Sequence, residues 1–245
     1  MAVFVLVHGG GHGGWCYQSV ARLLRAQGHE VYHPTLSGLA DRAHLLATNT
    51  GLDMHITDIA SLLEYEDLTE VILAGHSYGG MVVTGAADRS LGRVSQLVYL
   101  DAAIPVQGEA LVDVSPGLLA LAPRNRRVDG VELCLWPDDP AVRSLYGLED
   151  GPLTHWAMQR LTPHPWKTFT DPLHLDHPQA VAELPRTVVN CTHTLTVRPD
   201  ETRHRWLNAD RVWEIDTGHD LMLTEPEQVA AMLARLSAAP SERAS

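Results

Sequence analysis

The sequence predicts an α/β protein built on a mostly parallel sheet. Three observations predict it. Six short apolar runs recur along the chain, helix-patterned stretches separate several of them, and one run passes into a helix-like stretch through a serine set between glycines. Continuous apolar runs are what parallel strands covered on both faces look like. Alternation of strand with helix implies crossovers that lay the strands parallel.

The six runs are Val3 to Val7, Glu30 to His33, Val71 to Ala74, Gln96 to Leu100, Thr187 to Cys191 and Val212 to Ile215. The first helical pattern, Trp15 to Ala26, carries Val20, Leu23 and Leu24 on one face and stops at Gly28. The second carries Ile56, Ile59, Leu62 and Leu63 after Asp53, which reads as an N-cap. The last opens on Thr224 and Glu227, a capping-box pattern with Pro226 in its first turn. Alternation fails between about Pro105 and Pro185, where Pro, Trp and His accumulate and no clear strand is visible. This stretch is expected to insert over the C-terminal edge of the sheet, where open α/β folds bind ligands. The expected organisation is a core of residues 1–105 and 185–237, a helical cap insertion of 106–184 and a flexible tail of 238–245.

A chain of 245 residues holds one large α/β domain or two small ones and can bury a sizeable core. No apolar run approaches membrane-spanning length. The formal charge of −12 would repel a phosphate backbone, so neither nucleic acid nor an anionic membrane surface is expected as a partner. The three cysteines are scattered and odd in number, which argues against a disulfide framework. Met1 leads directly into the first apolar run without a basic or apolar leader, so a cytoplasmic protein is expected. Lys167 is the only lysine, which removes most options for Schiff-base chemistry. Self-association into a homodimer stays open.

The chemistry concentrates in three segments. Gly75-His76-Ser77-Tyr78-Gly79 lies between an apolar run and a helical pattern. Strand, G-x-S-x-G, helix is the form of a nucleophile elbow, a strained turn that projects the serine hydroxyl above the sheet. Gly75 and Gly79 are expected there because side chains would collide with the neighbouring strand or helix. A serine needs a base. Among fourteen histidines, His219 is singled out by its place in Asp216-Thr217-Gly218-His219-Asp220, after the last strand and on the same sheet edge. The third segment, His8-Gly9-Gly10-Gly11-His12-Gly13-Gly14-Trp15, is an H-G-G-type loop able to offer a backbone N–H to an oxyanion. The expected donors are the N–H groups of Gly10 and Tyr78. Gly9, Gly11 and Gly14 also satisfy a dinucleotide-binding pattern. That reading needs an acid ending the second strand, and the chain has His33-Pro34-Thr35 there. It also leaves Ser77 and His219 without a role.

With these segments the chain resembles the plant methyl-esterase and hydroxynitrile-lyase branch of the α/β-hydrolases, and its bacterial esterase relatives. Tyr99-Leu100-Asp101-Ala102-Ala103-Ile104-Pro105 and Gly218-His219-Asp220-Leu221-Met222 extend the likeness nearly end to end. The order nucleophile then histidine fits that layout. The resemblance implies an α/β-hydrolase core, a helical cap, no cofactor and a small-molecule ester as substrate. Cyanohydrin-cleaving members of the branch carry a lysine just after the histidine and a threonine in the oxyanion loop. Asp220 and Gly10 occupy those places here, which favours the esterase side.

The orienting acid is the departure. The plant relatives place an aspartate shortly after the strand ending in Cys-Thr, and this chain has Thr194 there. Asp101, at the end of the strand after the elbow strand, is the preferred acid, because some α/β-hydrolases carry it at that strand end. Asp200 is the reserve, and a histidine without a carboxylate is the third option. Trp136, Trp156 and Trp166 either line the substrate pocket or form the core of the cap. His174, Asp176 and His177 look metal-like, but a single H-x-D-H without further spaced ligands is a weak signal, and no metal is expected. The expectation is a serine hydrolase acting through an acyl-enzyme. A lyase on the same scaffold and a non-enzymatic binder are the alternatives.

Overall fold

Phe4 and Leu6 of strand β1 (Val3–Val7) face one side of the sheet, Val5 and Val7 the other, and all four are fully buried. This period of two with both faces apolar is what a central strand covered by two helical layers requires. In the computed structural model, residues 1–116, 126–136, 138–196, 198 and 200–237 are described. After β1 come β2 (Glu30–Tyr32), β3 (Val71–His76) and β4 (Val94–Leu100). The stretch that follows adds β5 (Arg126–Val128), β6 (Val131–Cys134) and β7 (His164–Pro165), and β8 (Arg186–Cys191) and β9 (Arg211–Ile215) complete the set. The main sheet has six parallel strands in the order β2-β1-β3-β4-β8-β9.

That order positions the site. The chain moves outward from β1 to β2, then returns past β1 to β3 and continues to the other edge. Helix α1 (Gln18–Ala26) packs with the C-terminal helix Pro226–Ser237 on the Phe4 and Leu6 face. Helices α2 (Leu52–Tyr65) and α3 (Gly79–Arg89) cover the Val5 and Val7 face. The loops leaving β1 and β3 therefore diverge, and a crevice opens at the carboxyl ends of the strands. No side chain caps the N-terminus of α1. Burial of Val20 and Leu24 at roughly 1.5–3 kcal/mol each outweighs a missing cap worth about 1 kcal/mol.

Four local expectations are corrected. The stretch between β4 and β8 contains strands: β5, β6 and β7 form a small antiparallel sheet. Its hairpin turns on Asp129 and Gly130, both at positive φ (49° and 83°), the conformation an Asp-Gly turn favours. The runs are three, four and two residues long, too short for their alternation to stand out. Before α1, residues Gly14–Tyr17 form a separate 3₁₀ turn. Asp53 is not the N-cap of α2, which is Gly51; the Asp53 carboxylate pairs with Arg89 instead. Thr224 ends the short helix Leu221–Thr224, and its hydroxyl lies 2.8 Å from that of Thr217 rather than capping the last helix. The expected tail of 238–245 lies outside the described residues.

Candidate active site

The elbow forms where β3 meets α3. Ser77 adopts a positive φ of 53°, a strained state for a residue with a side chain. The turn holds because Gly80 and Ala103 donate their N–H groups to the Ser77 carbonyl at 3.1 and 3.0 Å. A Cβ on Gly75 would lie 2.5 Å from the Gly79 carbonyl oxygen, and one on Gly79 would lie 2.6 Å from that of Val7. Neither position admits a side chain.

Three side chains meet above this turn. Ser77 Oγ lies 2.8 Å from His219 Nε2, and His219 Nδ1 lies 2.5 Å from Asp101 Oδ2. His219 and Asp101 are 2 % exposed each. With Nδ1 facing a carboxylate, the proton sits on Nδ1 and Nε2 accepts from the serine. His219 comes from the loop after β9, and its N–H donates to the Leu145 carbonyl at 2.9 Å. The insertion helix Pro140–Tyr146 thus fastens the histidine loop.

Asp101 follows β4 directly at a φ of 47° and is held from several sides. Its N–H donates to Val189, and Cys191 donates its N–H to Oδ1 at 3.2 Å. Thr194 Oγ1 lies 2.8 and 2.7 Å from the two carboxylate oxygens, and Arg198 is paired with Oδ1. Burial alone would raise the Asp101 carboxyl. The Arg198 guanidinium, then His219 and Thr194, overturn that effect and hold it far below the usual carboxylate range. Asp200 is distant from this cluster in role and setting: it opens the helix Asp200–Leu207, is mostly exposed and pairs with Arg203 at 3.1 Å.

The glycine loop after β1 forms the opposite wall. Gly10 and Tyr78 border the same cavity as Ser77 and His219. Among the described groups, neither N–H has a hydrogen-bond acceptor. The Tyr78 side chain points away, its hydroxyl 2.9 Å from His55 Nδ1. His8 shapes the loop from below, with Nδ1 2.8 Å from the Gly9 carbonyl and Nε2 accepting the Leu36 N–H. Burial holds the His8 ring down at about 3, so it is neutral.

A narrow cavity opens beside Ser77 and His219. Ala102, Ala103, Leu111, Trp136, Tyr146 and Phe169 give it apolar walls, and Ser115 and Arg198 add polar groups. Trp136 is therefore at the pocket. Trp156 is not: it packs edge-on against Trp15, with ring centroids 5.1 Å apart, and under Arg160. Trp166 packs edge-on against Phe169 behind the wall. The residue order gave no way to tell which tryptophan faces inward, because the insertion's register depends on its small sheet. The contacts of Thr194 and Arg198 with Asp101, and the place of Tyr146 at the cavity, join elements far apart in the chain, so the residue order does not show them. His174, Asp176 and His177 are exposed, and the N–H groups of the last two bind Asp88. Among the described residues, no group of three or more His, Cys, Asp or Glu side chains could hold a metal ion.

Comparison with known proteins adds to this geometry. Residues 4–232 match the model of the alpha/beta hydrolase family. A carbendazim hydrolyzing esterase from Nocardioides sp. (strain SG-4G) is 35 % identical over 248 aligned positions, covering 96 % of this chain and 100 % of that protein. Methylesterase 1 of Arabidopsis thaliana is 35 % identical over 113 positions, 42 % of this chain and 40 % of its own. Among solved structures, an extracellular alpha/beta-hydrolase from a Paenibacillus species superposes with a TM-score of 0.80 at 20 % identity, over 96 % of this chain and 98 % of that one. A methylesterase from Arabidopsis superposes with a TM-score of 0.75 at 23 % identity, over 97 % and 99 %. These two share the fold. With a family match over nearly its whole length, the chain belongs to the alpha/beta hydrolase family.

Proposed function

We propose that the protein is a serine carboxylesterase that cleaves a small or aromatic ester through an acyl-enzyme. One observation carries the reading: the unbroken hydrogen-bond chain from Ser77 Oγ through His219 to Asp101, bordering an apolar cavity. In this mechanism Ser77 Oγ attacks the ester carbonyl carbon while His219 Nε2 takes its proton. The carbonyl oxygen becomes an oxyanion that accepts from the Gly10 and Tyr78 N–H groups. The intermediate collapses, the C–O bond to the alcohol breaks, and His219 returns the proton to the leaving oxygen. A water then repeats the sequence on the acyl-enzyme and releases the acid. Asp101 holds the His219 tautomer and stabilises the imidazolium.

Trp136 forms part of the wall for the acyl or alcohol group. We assign residues 106–184 to the cap and 1–105 with 185–237 to the core, with no cofactor required. The residue after His219 is a buried aspartate, not an ammonium suited to a departing anion, which supports hydrolysis over cyanohydrin cleavage. Among the described residues no helix is long and apolar enough to cross a membrane. A cytoplasmic location is part of the proposal and rests on three unpaired, buried cysteines.

The test is direct. A fluorophosphonate should label Ser77, and Ser77→Ala should stay folded and lose ester turnover by a factor on the order of 10⁶. Retention of most activity in the purified variant would sink the acyl-enzyme mechanism.

A further inference from the structure

His12 and Asp220 have no role in the steps above, yet both are buried beside them. His12 Nε2 lies 3.2 Å from Asp220 Oδ2, and His12 Nδ1 lies 2.9 Å from the Gly10 carbonyl oxygen. Both partners are acceptors. A ring whose two nitrogens each face an acceptor satisfies both only as the imidazolium, so the geometry describes a buried ion pair. Burial alone would lower His12, but the Asp220 carboxylate raises it above the ordinary histidine value; burial alone would raise Asp220, and His12 holds it below the ordinary range.

The Gly10 carbonyl belongs to the same peptide as the Gly11 N–H. That N–H donates to His164 Nδ1 at 3.1 Å. Two buried histidines therefore clamp one peptide plane from its two ends. The plane lies immediately after the Gly10 N–H, in a run of three glycines that has little conformational preference of its own. On the other side, Asp220 adjoins His219 in sequence, and its N–H donates to the Tyr146 carbonyl at 3.0 Å. His76, next to Ser77, donates from Nε2 to the His219 carbonyl at 2.9 Å and lies 4.0 Å from Asp220 Oδ1. A continuous path thus runs from the oxyanion-side peptide, through His12 and Asp220, to the histidine loop.

We propose that the Asp220–His12 ion pair is a positioning device, which holds the Gly10 N–H in register with His219 so that the transition state is bound more tightly than the substrate. This rests on the esterase reading. Neither residue lines the cavity at Ser77, so the pair acts through other groups and does no chemistry itself. A buried pair of this kind costs much desolvation and is weak evidence for stability. Its placement between two functional loops is the observation that points to positioning.

The experiment uses the full chain with Asp220→Asn, His12→Gln and the double variant, against a chromogenic ester and a trifluoromethyl ketone that mimics the tetrahedral adduct. Loss of a whole oxyanion donor costs about 10²–10³ in kcat; a displaced donor should cost about tenfold to hundredfold. The expected result is that kcat falls by that factor while KM stays within about twofold, and ketone affinity falls in step with kcat/KM. The double variant should cost no more than the worse single one, because the residues act as a unit. It also removes both buried charges, so it serves if His12→Gln alone fails to fold. A loss confined to KM, an unchanged kcat in folded variants, or failure of all three to fold would overturn positioning. If the wild-type enzyme is not labelled at Ser77, the esterase reading itself fails, and that outcome is separate from these.

Discussion

Thr194 Oγ1 lies 2.8 Å from one carboxylate oxygen of Asp101 and 2.7 Å from the other. The position expected to carry an acid thus holds a hydroxyl, and the carboxylate of Asp101, just after β4, stands across from it. The two residues follow neighbouring strands, since β4 and β8 pair in parallel. Asp101→Asn should therefore keep the fold but favour the wrong His219 tautomer, lowering kcat by up to about 10⁴. Asp200→Asn should stay within about twofold of wild type, because an exposed ion pair contributes little. Parallel kinetics on the two variants, with circular dichroism, decides between them. A crippled Asp200→Asn would move the acid away from β4.

Thr194 and Arg198 should act on stability before they act on rate. Arg198 is 6 % exposed and is the charged partner of a fully desolvated carboxylate. Arg198→Met strands that carboxylate, and breaking one side of a buried pair costs roughly 3–5 kcal/mol. Thr194→Val removes a hydrogen bond to a charged group, worth roughly 1.5–3 kcal/mol. Urea unfolding should rank the variants wild type, Thr194→Val, Arg198→Met. An Arg198→Met protein as stable as wild type would show that Asp101 does not depend on the guanidinium.

The buried histidines set an acid limit on the fold. Burial lowers His8 to about 3, His55 to about 4 and His76 to about 3, and puts His164 well below its ordinary value. In the unfolded chain each takes up a proton near pH 6.5. Between about pH 6.5 and 4 the unfolded state therefore binds more protons, and stability falls as pH falls. Four such groups allow a slope of at most roughly 5 kcal/mol per pH unit. Other groups do not cancel this. The raised His12 gives stability that is complete below about 6.5 and lost above it. The lowered Asp101 and Asp220 give stability that is complete above about 3.9 and lost below it. Urea midpoints measured from pH 7.5 to 4.5 should drop steeply below pH 6.5. A flat profile down to pH 5 would mean that these rings are protonated in the folded state.

The four inner strands were legible as apolar runs buried over most of their length, the two edge strands as shorter pieces between helical patterns, and the elbow because only glycine fits on both sides of Ser77. His219 and Asp101 were legible as strand-end residues, since parallel topology delivers strand ends to one edge. What was not legible depended on contacts between elements far apart in sequence. Arg198 reaches Asp101 across 97 positions, and His12 reaches Asp220 across 208. No local pattern encodes either. The same holds for the insertion, where two-residue β7 exists only because β6 pairs with it.

Gly10 gives the sharpest test of the oxyanion wall. A Cβ there would lie 2.9 Å from Trp136 Cζ2 and 3.1 Å from Phe169 Cζ, so a ring or the loop must move. Phe169 has little room to yield. It is fully buried and stacked on His164 at 4.5 Å, and His164 holds the Gly11 N–H. Trp136 borders the cavity and can give way only into the substrate's space. Gly10→Ala should therefore displace the loop or narrow the pocket. Displacement lowers kcat by about tenfold to hundredfold, part of the cost of losing a whole donor, whereas narrowing raises KM. Adding Trp136→Leu opens room for the methyl group and should restore most of a kcat loss caused by displacement. A threonine at this position would meet the same two rings with two more atoms, so Trp136 and Phe169 fit this loop to glycine. Unchanged kcat and KM in a folded Gly10→Ala enzyme would show that the Gly10 N–H does not hold the oxyanion.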